Sequence, residues 1–291
     1  MYYLGFDIGA SSVKAALVCD QKIVKSETSD LPFDLAGLLK IFKEIFKRLT
    51  AGLPQEEIGG LGFGWPGVLD LSRQKIIKAP NVSYLDDQPL GELLAGQFPN
   101  QIIVLEHDVN CFLLAEKTVG QAKDLKNVVY LTLGSGIGGA LLVSGEIIKG
   151  AHGAAGEVGH MIIDLSRQLD LEALASNKFI LRELGVGSRE AEQRLEAGDE
   201  ATKKVLEQLG RNLGVGLANL INILDPEAII LGGGISSLAD ILRPGILESL
   251  KTWVLAPAAK ETPVLFSQMG KLGGALGAAL LLLAQEAAGQ S

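Results

Sequence analysis

Short apolar runs alternate with longer amphipathic stretches along this chain. Residues 2–8 are a short, mainly apolar run, a Gly-Ala-Ser turn follows, residues 13–19 are again mostly apolar, and residues 22–26 form a third short segment around Ile23 and Val24. That pattern predicts three antiparallel strands joined by tight turns. Residues 35–49 place Leu35, Leu38, Leu39, Phe42, Ile45, Phe46 and Leu49 at the three-and-four spacing of a helix with one buried face. Residues 58–64 read as a glycine-rich strand ending at Trp65-Pro66-Gly67, residues 90–97 as a helix and residues 102–105 as a buried strand. Asp108 stands where an N-cap would open a helix over 109–119.

A second block repeats the opening. Residues 128–133 predict a strand, 134–139 a glycine turn, 140–143 a strand, and 147–149 a short third strand. Two such blocks about 125 residues apart suggest duplication of one α/β unit, although hairpins are common enough to leave the point open. Helical spacing then dominates over 172–183, 188–196 and 201–224. A strand at 228–231 runs into Gly232-Gly233-Gly234, a further helix lies within 235–250, and a strand at 263–266 precedes a closing helix. Strands alternating with long helices predict the α/β class.

Composition narrows the picture. A chain of 291 residues with 47% hydrophobic and 21% charged positions has ample material for a core, in two domains or one large one. A formal charge of −8 argues against a nucleic-acid surface. Cys19 and Cys111, with three histidines, are too few for a multi-cysteine zinc site or a disulfide framework. The apolar run at 272–284 spans 13 residues, short of the roughly 20 that cross a membrane. No basic leader precedes the first strand, so a cytoplasmic protein without a membrane partner is expected.

The glycines hint at chemistry. Residues 134–139 contain a G-x-G-x-x-G, but a strand follows it rather than the helix that dinucleotide binding needs. A hairpin whose turn amides face a phosphate is the alternative, since successive N–H groups form an anion nest. Asp7 beside Gly9, Ala10, Ser11 and Ser12 repeats that arrangement, and a carboxylate there suits a hydrated Mg²⁺. Each turn alone reads better as an ordinary hairpin; with both turns, the carboxylate and Gly232–Gly234 together, a nucleotide cleft is favoured.

Seven segments, in order, resemble one family. They are Asp7-Ile-Gly-Ala-Ser-Ser-Val-Lys14, Gly64-Trp-Pro-Gly67, Ala79-Pro-Asn81, Glu106-His-Asp-Val-Asn110, Leu133-Gly-Ser-Gly-Ile-Gly-Gly139, Gly150-Ala-His-Gly-Ala-Ala-Gly-Glu-Val-Gly-His160 and Ile229-Ile-Leu-Gly-Gly-Gly234. The chain is similar in these to the ROK family of sugar kinases and repressors. The resemblance implies an actin-like, ribonuclease-H-like ATPase fold, with two α/β domains around a nucleotide and sugar cleft. The expected division is a small domain at 1–118, to which a helix at 275–291 returns, and a large domain at 119–274. It also implies ATP with Mg²⁺ reached through water near Asp7, a small-molecule sugar partner and a homodimer.

On that resemblance Asp108 is the catalytic base, the role a sugar hydroxyl needs as its oxygen attacks phosphorus. The same position is also a good helix cap. Gly67, Asn81, His107, Glu157, His160 and Glu172 are expected at the sugar. Asp7, Gly9, Ala10, Ser11, Lys14, Gly134, Ser135, Gly136, Gly233 and Gly234 are expected at the nucleotide. Glu157 and His160 read equally as a solvated and a packed residue of a surface loop, and Glu172 as an acid in a helix's first turn. Trp65 could line the cleft or fill the core.

Two departures stand out. Many members hold zinc with three cysteines between this His and Glu, the His being the fourth ligand. Here the interval from His160 to Glu172 is 12 residues and contains no cysteine, so no structural zinc is expected and His160 needs another partner. His107 stands where the family usually has Asn, which leaves the sugar open. The expected reaction is ATP-dependent phosphorylation of a hexose, at the 6-OH of glucose or a related or N-acetylated sugar. The alternative is a non-catalytic sugar-binding or sugar-sensing protein. A DNA-binding repressor is disfavoured by the negative charge and the lack of a DNA-reading helix.

Overall fold

A computed structural model of the protein describes residues 1–79 and 82–289. Asn81 lies outside the described residues. The chain divides into two compact units. One comprises Met1–Lys123, Lys149–Ala155 and the segment from Met269 on; the other comprises Asp124–Ile148 and Gly156–Gln268.

The first unit is built on strands β1 (Tyr2–Ile8), β2 (Ser12–Cys19), β3 (Lys22–Asp30), β4 (Ile58–Trp65) and β7 (Ile103–His107), with β5 (Val68–Leu69) and β6 (Ile76–Lys78) as a side hairpin. The five-stranded order is β3-β2-β1-β4-β7, antiparallel among the first three strands and parallel across β1, β4 and β7. Strand parity sorts its faces. Leu4, Phe6, Ile8, Val13, Ala15 and Leu17 join Leu38, Phe42, Ile45 and Leu49 of α1 (Leu35–Leu49) in one core. Trp65 is fully buried there and stacks on Phe63, which makes it a core residue. On the opposite face Tyr3, Ala16 and Val18 meet α9 (Gly273–Gly289). Asp7 and Lys14 share that second parity, and their backbones are register partners. Helix α9 can lie so close because Gly5 and Gly62 are bare: an added Cβ would sit 1.9 Å from Ala275 O and 1.8 Å from Ala278 O respectively.

The second unit repeats the plan. Strands β8 (Val128–Leu133), β9 (Ile137–Val143), β10 (Glu146–Ile147), β13 (Ala228–Gly232) and β14 (Val264–Phe266) run in the order β10-β9-β8-β13-β14, with the same antiparallel and parallel directions as the first sheet. One topology used twice is what the sequence repeat suggested. Helices α7 (Glu200–Leu224) and α8 (Ala239–Trp253) bury Leu206, Leu209, Leu213, Leu242, Ile246 and Leu250 against Val129, Leu131 and Leu133. Between the sheets' strands lie α2 (Leu90–Gln97), α3 (Asp108–Val119), α4 (Leu171–Ala175), α5 (Asn177–Leu184) and α6 (Ser188–Glu196), and the small hairpin β11 (Ile162–Asp164) with β12 (Leu169–Asp170).

The structure corrects several expectations. The third strand extends to Asp30 because it pairs with β2 as far as Ser12. Strand β9 begins at Ile137, inside the predicted glycine turn. The single helix expected over 172–183 is two helices, broken at Ser176, whose extended backbone and hydroxyl bond to Lys178 N–H cap the second. Asp108 is not the N-cap of α3. His107 holds that position, and Asp108 is the first helical residue, its Oδ1 2.8 Å from its neighbour's Val109 N–H.

Candidate active site

In the first unit the candidate groups gather at the carboxyl-terminal ends of parallel strands, where open α/β sheets place their ligands. Asp7 is the penultimate residue of β1, and Gly64 of β4 lies in register with both Asp7 and Glu106 of β7. The Asp7 side chain is 4% exposed and its Oδ2 accepts from Lys14 Nζ at 2.9 Å. Burial raises its pKa, and the Lys14 charge and hydrogen bond offset part of that. The turn beyond is closed by Gly9 N–H donating to Ser12 O at 2.9 Å, with Ala10 and Ser11 exposed at its tip. Asp7, Lys14, Gly9, Ala10 and Ser11 thus form one local group.

Asp108 follows Glu106 and His107 at the β7–α3 junction. Its side chain is 25% exposed, and His107 Nε2 lies 3.4 Å from its Oδ1. Glu106, only 7% exposed, faces inward. Its Oε1 accepts from His107 N–H at 2.8 Å and Asn110 Nδ2 at 3.1 Å, and it contacts Arg73 Nε at 3.1 Å. That last contact is an ion pair rather than an aligned hydrogen bond, since Arg73 Nε has no hydrogen-bond partner. Lys149 Nζ lies 3.4 Å from Glu106 Oε2, and Arg73 Nη1 reaches Gly153 O at 3.4 Å. Glu106 and Asn110 belong to a motif read in the sequence, whereas Arg73 and Lys149 carried no local signal. The buried Cys111 thiol is pushed well up, first by desolvation and then by the charges of Glu106, Asp108 and Asp7. Gly67 has φ +89°, and a Cβ there would meet Lys78 O at 2.1 Å, so glycine is required at this turn.

In the second unit, Gly134 N–H donates to Gly136 O at 2.9 Å, leaving Ser135 exposed at the tip. Gly233 has φ +88° and lies against the end of β8, where an added Cβ would be 2.4 Å from Leu133 O. Gly234 beside it is exposed with open space around it. The two glycine turns therefore end neighbouring parallel strands.

The residues expected at the sugar are spaced along the following loop and hairpin. Glu157 is exposed, and its carbonyl accepts from His160 N–H at 3.2 Å. His160 is 65% exposed, with Nδ1 3.2 Å from Asp170 Oδ2. Asp170 is the partner that sequence reasoning lacked; its other oxygen caps α4 at Ala173 N–H, 2.8 Å away. The cysteine-free interval folds as the β11–β12 hairpin, whose turn is clamped by Asp164. Bonds from Ser166 and Arg167 hold that carboxyl down to about 2. Glu172 accepts from Ile137 N–H at 2.8 Å and Lys178 Nζ at 2.5 Å, so it touches the glycine turn. Among the described residues no group of three or more His, Cys, Asp or Glu is placed to hold a metal ion, and no helix is long and apolar enough to cross a membrane.

A sequence model of the ROK family matches residues 3–285. The glucokinase of Halalkalibacterium halodurans is 27% identical over 318 residues, covering 98% of this chain and 96% of the relative. The xylose repressor of Bacillus spizizenii is 26% identical over 298 residues, covering 97% of this chain and 77% of the repressor. Among solved structures, a ROK family glucokinase from Streptomyces griseus in complex with glucose and AMPPNP superposes with a TM-score of 0.85 at 24% identity, over 97% of this chain and 99% of that one. The fold is therefore that of the actin-like, ribonuclease-H-like sugar kinases.

Proposed function

The chain belongs to the ROK family, and on that premise we propose that it is a sugar kinase transferring the γ-phosphoryl group of ATP to a hexose hydroxyl. The acceptor is the 6-hydroxymethyl group of glucose or a related or N-acetylated hexose. Asp108 takes the hydroxyl proton as the sugar oxygen bonds to phosphorus and the bond to ADP breaks. The observation that carries this is a difference among three carboxylates at one sheet end. Asp7 is paired with Lys14 at 4% exposure and Glu106 with Arg73 at 7%, while Asp108 presents a carboxylate at 25%. Only the last is accessible enough to meet a substrate.

The glycine turns at residues 9–12, 134–136 and 233–234 supply amides for phosphate oxygens, and Lys14 adds a cation. Asp7 is buried and bonded to Lys14, and among the described residues no other carboxylate joins it as a metal-binding set. Mg²⁺ held by the nucleotide phosphates and water fits, with Asp7 in its outer shell, and it would neutralise charge on the transferring group. Gly67, Asn81, His107, Glu157 and His160 bind and orient the sugar. The Asp170 contact fixes which ring nitrogen of His160 is turned outward.

A second reading, a sugar-binding regulator without kinase activity, is favoured by the likeness to a xylose repressor and by His107. Coupled ADP release over a panel of hexoses tests the first reading. Sugar-dependent turnover that falls at least about a hundredfold in Asp108→Asn supports it, following the usual contribution of a general base. Calorimetric sugar binding with no turnover decides for the second reading.

A further inference from the structure

The break between α4 and α5 has a consequence for the neighbouring turn. The corner at Ser176 brings two groups onto the glycine turn at residues 134–136. Asn177 N–H donates to Gly134 O at 2.9 Å, and Glu172 Oε2 accepts from Ile137 N–H at 2.8 Å. The turn is held at both ends by one helical corner. A continuous helix would spend the Asn177 N–H on its own fourth-preceding carbonyl. Two carbonyls of the last turn of α4 are satisfied from outside it: Arg182 Nη1 donates to Ala173 O at 3.2 Å and Asn212 Nδ2 to Leu174 O at 2.8 Å. The corner is thus a stable feature with its backbone groups paired.

Gly136 is bare where Glu172 approaches, since a Cβ there would be 2.2 Å from Glu172 Oε2. A carboxylate so close to phosphate-accepting amides would repel phosphate if its charge stood alone. Lys178 Nζ, 2.5 Å from Glu172 Oε1, neutralises it. We propose that Glu172 is a positioning residue for the nucleotide: with Lys178 it holds the second glycine turn in the shape that receives phosphate. This rests on the kinase reading above, and it gives Glu172 a role separate from sugar contact.

The test is binding of AMPPNP with Mg²⁺ by calorimetry, in the absence of sugar, to the whole protein and to Glu172→Gln, Glu172→Ala and Lys178→Met. Loss of a charge-assisted hydrogen bond predicts roughly tenfold weaker nucleotide binding in Glu172→Ala, and partial rescue in Glu172→Gln, whose amide oxygen still accepts from Ile137. Lys178→Met weakens binding by exposing the carboxylate's charge to phosphate. In turnover assays the KM for ATP rises more than the KM for sugar. Unchanged AMPPNP affinity in Glu172→Ala and Glu172→Gln, with the effect confined to the sugar KM, overturns the proposal while the kinase reading stands. A wild-type protein that binds no AMPPNP overturns both.

Discussion

Replacing Arg73 with Met probes the charge cluster behind Asp108. Arg73 and Glu106 are each 7% exposed and 3.1 Å apart. Removing one member of a buried pair leaves the other charge uncompensated, which costs roughly 3–5 kcal/mol. Lys149 reaches Glu106 at 3.4 Å but is itself half-exposed, and a contact of that kind is worth about 0–1 kcal/mol. The expected loss therefore sits near the lower end, about 3 kcal/mol. Urea unfolding followed by tryptophan fluorescence measures it in the correct unit. The chain has two tryptophans; Trp65 lies in the first unit's core and Trp253 is exposed in the second, so a Trp253→Phe background reports the first unit alone. Glu106→Gln and the double variant complete a cycle that isolates the pairwise energy. A loss below about 1 kcal/mol for Arg73→Met, or single losses that simply add, would refute the claim that this pair is a desolvated, coupled unit.

Three further outcomes follow from the geometry. Gly277→Ala places a methyl group 1.7 Å from Cys111 O, where α9 crosses α3, and should lower the melting temperature by several degrees or prevent folding; a melting point within a degree of wild type would contradict that contact. Asp7 has a folded pKa raised by burial, so its contribution is fully present below its ordinary value of 3.8 and is lost as pH rises through the raised value. Asp7→Asn should therefore raise the melting temperature at pH 7.5 while kinase turnover falls, and a lower melting point there would show that the Lys14 bond outweighs desolvation. Dialysis against EDTA followed by Mg²⁺ should restore full turnover, with added Zn²⁺ giving no further gain; a zinc requirement would disprove the reading of the β11–β12 hairpin as a metal-free support.

Much of the architecture could be read from local pattern. Period-two runs and three-and-four spacing place most strands and helices, and the duplicated strand–turn–strand blocks became two sheets of one topology. Trp65 shows where that reading stops: its position in the sequence suits the cleft and the core equally, and its complete burial against Phe42 and Phe63 assigns it to the core. Asp108 reads locally as a cap because Asp favours that position. The fold assigns the cap position to His107: β7 runs two residues past the apolar run, to His107, and the helix starts at once with Asp108.

Composition and residue order were enough to define the fold class, the glycine turns, the absence of cysteines between His160 and Glu172, and the set of acids from which a base is drawn. They act through near neighbours, and near neighbours are what a linear pattern encodes. Which acid is accessible was decided by contacts across long separations. Arg73 reaches Glu106 from the β5–β6 hairpin, Lys149 approaches from a segment beyond the first sheet, Asp170 meets His160 across a hairpin, and Glu172 meets Ile137 from 35 positions away. Burial and pairing depend on how sheets and helices close on one another, so charges of the same type acquire different roles only once the tertiary structure has formed.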